Sequence, residues 1–133
     1  MKLLFVCTAN VDRSPTGEDL FKDVPGVEAL SAGTDETYAT VPISKTLIEW
    51  ADIIFCMEKR HFNKVVRMSP EARNKTVVLG IPDQYYRGQP ELVKLIKSKV
   101  SLYFHQGQYK DGSGSSGKCS QRDGCRLGIE GGD

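Results

Sequence analysis

The chain has 133 residues, of which 39% are hydrophobic and 26% charged, and a formal net charge of +1. This length supports one domain with a full hydrophobic core and is too short for two, and the composition is that of an ordinary soluble globular protein. The almost neutral charge argues against nucleic acid or an anionic membrane as the main partner, because both favour proteins with a clear basic excess.

Strand-like and helix-like patterns alternate along residues 2–104. Continuous apolar runs predict strands at KLLFVC, VEALSAG, DIIFCM and KTVVLGI. Helical spacing of apolar residues predicts helices at SPTGEDLFKDV, PISKTLIEWA, EKRHFNKVVRM and QPELVKLIKSKVSLYF. In the first helix, Ser14 is a good N-cap and Pro15 takes the first helical position, where its missing N–H costs nothing. Such alternation predicts an α/β fold, with a parallel sheet between two layers of helices.

The composition changes after His105. The rest of the chain holds eight of the 13 glycines and few hydrophobic residues. Such a segment buries too little apolar area to offset the conformational entropy that it loses on folding. We therefore expect a folded domain over residues 1–106 and a flexible tail over residues 107–133, in which GSGSSG resembles an expression linker.

The N-terminal segment MKLLFVCTA resembles the start of a secretory signal. Polar residues interrupt its apolar run after about six residues, whereas the apolar part of a signal has roughly 7–15. No apolar stretch is long enough for a transmembrane helix. We therefore expect a cytoplasmic monomer without a membrane or nucleic-acid partner.

The four cysteines are Cys7, Cys56, Cys119 and Cys125. A cytosolic chain keeps its thiols reduced, and a domain of this size needs no disulfide. No group of cysteines and histidines has metal-ligand spacing, so we expect no metal site and no cofactor. Cys56 and the isolated His61 are interpreted as structural or solvated residues.

Cys7 lies where the first strand ends and the loop TANVDR begins. Ligands of parallel sheets bind beyond the carboxyl ends of the strands, where the N–H groups and dipole of the next helix attract anions. A cysteine at such a place has its pKa lowered from about 8.5 toward roughly 3.5–7.5, which makes it a thiolate at neutral pH. Arg13 can hold two oxygens of a phosphate, and the Ser14 hydroxyl can donate to the thiolate.

A thiolate inside an anion site is the apparatus for covalent transfer of a phosphoryl group to sulfur. Each residue alone also has a structural interpretation, since a buried cysteine at a strand end is common. The combination of Cys7, Arg13 and a Ser-Pro pair at the helix start favours the catalytic interpretation.

The segment VCTANVDRSPTGE resembles the phosphate-binding loop of low-molecular-weight protein tyrosine phosphatases, whose pattern is Cys-x5-Arg-Ser-Pro. The segments SAGT, ADIIFCME and IPDQYY follow in the order typical of that family, and the resemblance is closest to a compact bacterial branch of predicted phosphatases. It implies a three-layer sandwich with a four-stranded parallel sheet, and hydrolysis through a cysteinyl-phosphate. It implies that Cys7 is the nucleophile, Arg13 the transition-state clamp and Ser14 the thiolate's hydrogen-bond donor, and that Asn10 holds the backbone of the loop. The other loop residues would contact phosphate: Thr8, Ala9, Val11 and Asp12.

The reaction also needs an acid that protonates the leaving group and then a base that activates water. Asp83 follows the fourth strand, so it lies at the same sheet edge as Cys7. The family's general acid lies in an Asp-Pro-Tyr-Tyr-like segment, which Asp83-Gln84-Tyr85-Tyr86 resembles with Gln in place of Pro. Pro-Asp is also a common turn. Tyr85 and Tyr86 are either walls of a slot for a phenyl ring or ordinary core and rim aromatics.

Two residues stand out within this pattern. Many relatives carry a second cysteine where this chain has Asp12. Pointing inward, the Asp12 carboxylate would repel phosphate and raise the pKa of Cys7; pointing outward, it is harmless. Gly17 lies inside the first predicted helix, where glycine costs up to about 1 kcal/mol relative to alanine, and the sequence offers no firm reason for it.

The sequence therefore predicts a metal-independent enzyme that hydrolyses phosphotyrosine proteins or small aryl phosphates and binds inorganic phosphate. One alternative is a thiol-dependent arsenate reductase, which would need two further thiols such as Cys119 and Cys125. The other is a phosphate-binding module without catalysis, which has no need of Asp83.

Overall fold

The computed structural model describes residues 1–105. Four strands and four α-helices alternate along this part of the chain, with a 3₁₀ helix, Pro70–Lys75, before the last strand. The elements are β1 (Lys2–Cys7), α1 (Arg13–Phe21), β2 (Glu28–Gly33), α2 (Lys45–Trp50), β3 (Ile53–Cys56), α3 (Lys59–Met68), β4 (Thr76–Val78) and α4 (Pro90–His105).

The strands form one parallel sheet in the order β2-β1-β3-β4. In its register Cys7 of β1 pairs with Gly33 of β2, and Val6 of β1 pairs with Cys56 of β3. All connections between parallel strands are crossovers, so the helices cover both faces of the sheet. The predicted three-layer α/β sandwich with a four-stranded parallel sheet is confirmed.

The two faces of the sheet carry separate hydrophobic cores. On one face, Leu3 and Phe5 of β1 pack with α1 and α4. On the other face, Leu4 and Val6 pack with α2 and α3. Because β1 is buried on both faces, its sequence is a continuous apolar run without alternation.

Gly17 of α1 lies directly over the Phe5 ring of β1. A Cβ atom added at Gly17 would come within 2.5 Å of Phe5 Cδ1, far inside van der Waals contact. The Phe5 ring also stacks against Phe21 and Phe55, with centroids 5.6 and 5.5 Å away. Glycine is therefore required at position 17 by the close approach of the helix to the sheet.

The prediction that Ser14 caps α1 is wrong. The helix begins at Arg13, two residues before the predicted first position at Pro15, and its N-cap is Asp12, whose side chain makes no capping hydrogen bond. Ser14 lies within the first turn, where its hydroxyl instead faces Cys7 and Asn10. The helix also ends at Phe21, earlier than the predicted end at Val24.

Two further predictions concern the C-terminal tail and membrane-spanning helices. The tail proposed for residues 107–133, with Cys119 and Cys125, lies outside the described residues. Within residues 1–105, no helix is both long and apolar enough to cross a membrane.

Candidate active site

Cys7 is the last residue of β1, at the carboxyl edge of the sheet. Its side chain is 3% exposed and lies on the face covered by α1 and α4. The Sγ atom is 3.0 Å from Ser14 Oγ in the first turn of α1. The strand and the helix that follows it thus hold the thiol and the hydroxyl together.

The backbone of the 8–12 loop is oriented by residues 34–40, which follow β2. The carbonyl oxygens of Cys7, Thr8 and Ala9 accept hydrogen bonds from backbone N–H groups of that segment at 2.9 to 3.1 Å. In a trans peptide the C=O and the following N–H point in opposite directions. The N–H groups of Thr8, Ala9 and Asn10 are therefore directed to the side of the loop away from residues 34–40.

Asn10 holds the loop in its bent conformation. Its φ is 58°, in the left-handed region that asparagine tolerates better than most residues. Its Nδ2 donates to Ser14 Oγ at 3.0 Å and to Ser31 Oγ at 2.9 Å, and Ser31 Oγ donates to Glu18 Oε1 at 2.5 Å. Since Ser14 Oγ accepts from Asn10, its own proton is available to the Cys7 sulfur, which lies nearer than the alternative Ala32 carbonyl at 3.4 Å.

Arg13 is buried, with 2% of its side chain exposed. Its Nη1 donates to the Ile81 carbonyl oxygen at 2.6 Å and lies 3.6 Å from Glu58 Oε2. Its Nε lies 3.8 Å from Asp83 Oδ1, and the Asp83 side chain is 62% exposed. The guanidinium is thereby held between the residues that follow β3 and those that follow β4, next to the carboxylate of Asp83, the predicted acid.

Glu58 and His61 at the start of α3 belong to the same cluster, although sequence reasoning did not assign them to it. The Glu58 N–H donates to His61 Nδ1 at 3.0 Å, while the Glu58 side chain accepts from the His61 backbone, as in a capping box. Because Nδ1 is an acceptor, the imidazole proton lies on Nε2, 2.9 Å from Thr8 Oγ1 in the loop. The start of α3 is therefore hydrogen-bonded to the loop through Thr8.

Burial and the charges of neighbouring arginines together set the protonation states of Glu58 and His61. Burial raises the pKa of Glu58, but the hydrogen bond from Arg60 and the charge of Arg13 outweigh it and leave that pKa below its ordinary value. Burial lowers the pKa of His61 to about 4, helped by the positive charges of Arg13 and Arg60. At neutral pH the cluster thus contains an ionised Glu58 and an uncharged His61.

Asp12, whose direction the sequence left open, is directed toward the segment that follows Asp83. Its Oδ1 accepts a hydrogen bond from the Arg87 backbone N–H at 2.9 Å. The Arg87 guanidinium makes two bonds to Asp19 of α1, at 2.9 and 3.0 Å. The Gly88 N–H donates to Thr16 Oγ1 at 3.0 Å. The segment after Asp83 is therefore attached to α1.

The aromatic residues that follow Asp83 differ in their surroundings. Tyr85 is half-buried and packs against the core formed with α1 and α4. Tyr86 is 63% exposed and immediately precedes Arg87. Val11 in the loop and Tyr38 after β2 are also exposed. Of the two tyrosines that follow Asp83, Tyr85 packs as a core aromatic and Tyr86 lies at the surface.

No protein-family model matches the chain, but individual curated proteins do. The low molecular weight protein-tyrosine-phosphatase Etp of Escherichia coli is 36% identical over 117 residues, which are 65% of this chain and 79% of that protein. A protein-arginine-phosphatase of Geobacillus stearothermophilus is 31% identical over 101 residues, which are 59% of this chain and 68% of that protein.

Solved structures give the same result. The tyrosine phosphatase Wzb from Escherichia coli K30, in complex with phosphate, has a TM-score of 0.63 at 25% identity and covers 77% of this chain and 94% of that chain. Sequence and structure comparisons therefore lead to the same group of phosphatases.

Proposed function

This chain belongs to the low-molecular-weight protein-tyrosine-phosphatase family and is a phosphatase, and we propose that it hydrolyses phosphotyrosine and other aryl phosphate monoesters through a cysteinyl-phosphate intermediate. The observation that carries the proposal is the placement of Ser14 Oγ 3.0 Å from the Cys7 sulfur. The Asn10 amide orients this hydroxyl. A hydroxyl so fixed stabilises a thiolate, which is the nucleophilic form of cysteine.

In this proposal the phosphate binds on the side of the 8–12 loop to which the N–H groups of Thr8, Ala9 and Asn10 point. The left-handed Asn10 is the kind of residue that makes successive N–H groups converge on an anion. Arg13 Nη1 is already bonded to the Ile81 carbonyl oxygen, so the edge of the guanidinium formed by Nε and Nη2 is assigned to two phosphate oxygens. Charge-assisted pairs of this geometry strengthen as negative charge develops in the transition state.

In the first step the Cys7 sulfur attacks phosphorus, and the bond between phosphorus and the ester oxygen breaks. Asp83 in its protonated form donates its proton to that oxygen, which leaves as a phenol or alcohol. Its position 3.8 Å from Arg13 Nε supports this role, because it lies beside the group assigned to phosphate. The products of this step are the cysteinyl-phosphate and a carboxylate on Asp83.

In the second step the Asp83 carboxylate takes a proton from a water molecule, whose oxygen attacks phosphorus. The S–P bond breaks, inorganic phosphate leaves, and the thiolate is restored. The Ser14 hydroxyl assists here because it stabilises the departing sulfur as an anion. The cycle requires no group from outside the chain other than water.

An aryl substrate is favoured by the side chains exposed around the loop. Val11 and Tyr86 present apolar and aromatic surface, and Tyr86 adjoins Arg87, which bonds to the loop residue Asp12. Aromatic side chains give a phenyl ring offset-stacked or edge-to-face contacts. One curated relative is an arginine phosphatase, so phosphotyrosine and phosphoarginine peptides of one sequence should be compared; faster release of phosphate from phosphoarginine would overturn the aryl assignment.

The test of the reaction is p-nitrophenyl phosphate hydrolysis by the unmodified chain, Cys7→Ser and Cys56→Ala. We expect Cys7→Ser to have no turnover, because a serine hydroxyl is a far weaker nucleophile than a thiolate. Cys56 is the matched control, since it lies in the core on the opposite face of the sheet and should leave turnover unchanged. Activity retained by Cys7→Ser would refute the mechanism.

A further inference from the structure

The chain that carries Asp83 is fixed at its start by the sheet. After β4, the Leu79 and Ile81 N–H groups continue to donate to β3 and the residue after it, at 2.8 Å each. The Ile81 carbonyl oxygen also accepts from Arg13. This first attachment ends two residues before Asp83.

A second attachment follows Asp83 and is made to α1. Its parts are the bond from the Arg87 N–H to Asp12, the paired bonds from the Arg87 guanidinium to Asp19, and the bond from Gly88 to Thr16. We name the first two together the Asp12–Arg87–Asp19 bridge. The bonds to Asp19 use both of its carboxylate oxygens, which fixes the guanidinium in direction as well as distance.

Asp83 itself is exposed and lies between these attachments, on a short span in which Tyr85 packs against the core. Its side chain is 62% exposed, so packing does little to hold it. An exposed span that is tied at one end only samples many conformations. Its position beside Arg13 therefore depends on both ends being held.

We propose, resting on the function proposed above, that the Asp12–Arg87–Asp19 bridge positions the general acid against the phosphate loop. Asp12 is next to Arg13 in the chain, so one residue fixes the acid segment to the clamp for phosphate. A cysteine at position 12 could not supply this charge-assisted bond, because a thiol is a weak acceptor. The carboxylate that distinguishes this loop is thus a positioning residue.

The test is the ratio of kcat/KM for phenyl phosphate to kcat/KM for p-nitrophenyl phosphate. This ratio measures how strongly turnover depends on the leaving group. Phenolate is the poorer leaving group and depends more on protonation by the acid. Since general acid catalysis contributes about 10²–10⁴-fold, Asp12→Ala should lower kcat/KM for phenyl phosphate by at least about 10-fold more than for p-nitrophenyl phosphate. Asp12→Asn keeps an acceptor oxygen without the charge, so its ratio should be close to that of the unmodified chain.

Two further variants show whether the ratio depends on the bridge itself or on any loss of an ion pair at Asp19. Arg87→Gln breaks the bonds to Asp19 and should change the ratio in the same direction as Asp12→Ala. Lys22→Ala is the matched control, because Lys22 also pairs with Asp19, at 3.6 Å, but does not contact the acid segment. It should leave the ratio unchanged.

A double variant tests whether Asp12 acts through Asp83. When Asp83→Asn has already removed the acid, adding Asp12→Ala should change the ratio by less than about 2-fold, since coupled residues are non-additive. Inhibition by inorganic phosphate, measured on each variant, shows that the loop is still folded.

The outcomes distinguish the two proposals. An unchanged ratio in Asp12→Ala and Arg87→Gln, with the unmodified chain active, overturns the positioning role and leaves the phosphatase mechanism intact. The positioning role is also overturned if adding Asp12→Ala changes the ratio as much in Asp83→Asn as it does in the unmodified chain. No turnover by the unmodified chain overturns the proposed function, and this inference with it.

Discussion

The imidazole Nε2 of His61 is hydrogen-bonded to Thr8 Oγ1 at 2.9 Å, across 53 residues of sequence. Thr8 directly follows the cysteine proposed as nucleophile. The bond requires an uncharged ring with its proton on Nε2, because Nδ1 accepts from the Glu58 N–H. The start of α3 and the loop are therefore joined through His61. Making both of its hydrogen bonds at once, to Thr8 and from the Glu58 N–H, needs the imidazole to be uncharged.

This neutral histidine makes the stability of the fold depend on pH. The pKa of His61 is about 4 in the folded chain and about 6.5 when exposed to water. Between these values the unfolded chain binds a proton that the folded chain does not, so the free energy of unfolding falls as pH falls from 6.5 to 4. Linkage gives a loss on the order of 2 kcal/mol between pH 7 and pH 5.

The measurement is urea unfolding at pH 7 and pH 5, for the unmodified chain and for His61→Gln. Glutamine does not titrate, so the variant should lose less stability over this interval, and the difference between the two chains removes the contribution of the carboxylates. Equal losses in both chains would show that His61 is already protonated or exposed.

Asn10 should be sensitive to replacement by alanine and less so by glycine. Alanine at a φ of 58° costs roughly 1–2 kcal/mol in backbone energy, whereas glycine adopts this conformation freely. Both variants lose the bonds that orient Ser14, so both should lose kcat/KM toward p-nitrophenyl phosphate. Unfolding in urea should rank Asn10→Gly above Asn10→Ala in stability, and equal stability would contradict the role of the left-handed backbone.

Gly17→Ala should destabilise the protein although alanine is the better helix former by about 1 kcal/mol. The added methyl would overlap the Phe5 ring, and overpacking of this kind costs about 1–3 kcal/mol. The free energy of unfolding measures the loss. Adding Phe5→Leu should recover part of it, because the smaller side chain leaves room; a Gly17→Ala chain as stable as the original would disprove the contact.

Removal of residues 107–133 should leave kcat/KM toward p-nitrophenyl phosphate unchanged. The residues with a proposed role in binding or catalysis all lie before residue 89, whereas an arsenate reductase that relays electrons through Cys119 and Cys125 would lose turnover. The same pair of chains is therefore assayed with p-nitrophenyl phosphate and with arsenate plus a thiol reductant. Loss of phosphatase turnover on deletion, with arsenate turnover in the full chain, would favour the reductase.

Much of the fold was predictable because it follows from local patterns. The continuous apolar run of Lys2–Cys7 and the alternation of strands and helices indicated the layered parallel sheet. The family resemblance of VCTANVDRSPTGE is confirmed by the relatives that the chain matches. The strand order β2-β1-β3-β4 follows from no local pattern and was not predicted.

What the sequence could not supply are the contacts that depend on distant residues. The direction of Asp12 is set by Arg87, 75 residues later, and no local preference encodes it. His61 was interpreted as structural or solvated because its partner Thr8 lies 53 residues away; the capping pattern at the start of α3 was the one available signal. Ser14 was expected to cap α1 because serine does so locally, but bonds to Cys7 and Asn10 take its hydroxyl.

The most direct test of the account is to look for phosphate on Cys7 during turnover. The unmodified chain and Asp83→Asn are mixed with p-nitrophenyl phosphate, quenched rapidly, and analysed by peptide mass spectrometry. We expect a phosphorylated Cys7 peptide, in greater amount in Asp83→Asn because the base that activates water is missing. Rapid phosphate release in the complete absence of phosphocysteine, or phosphorylation of another residue, would contradict a sulfur nucleophile.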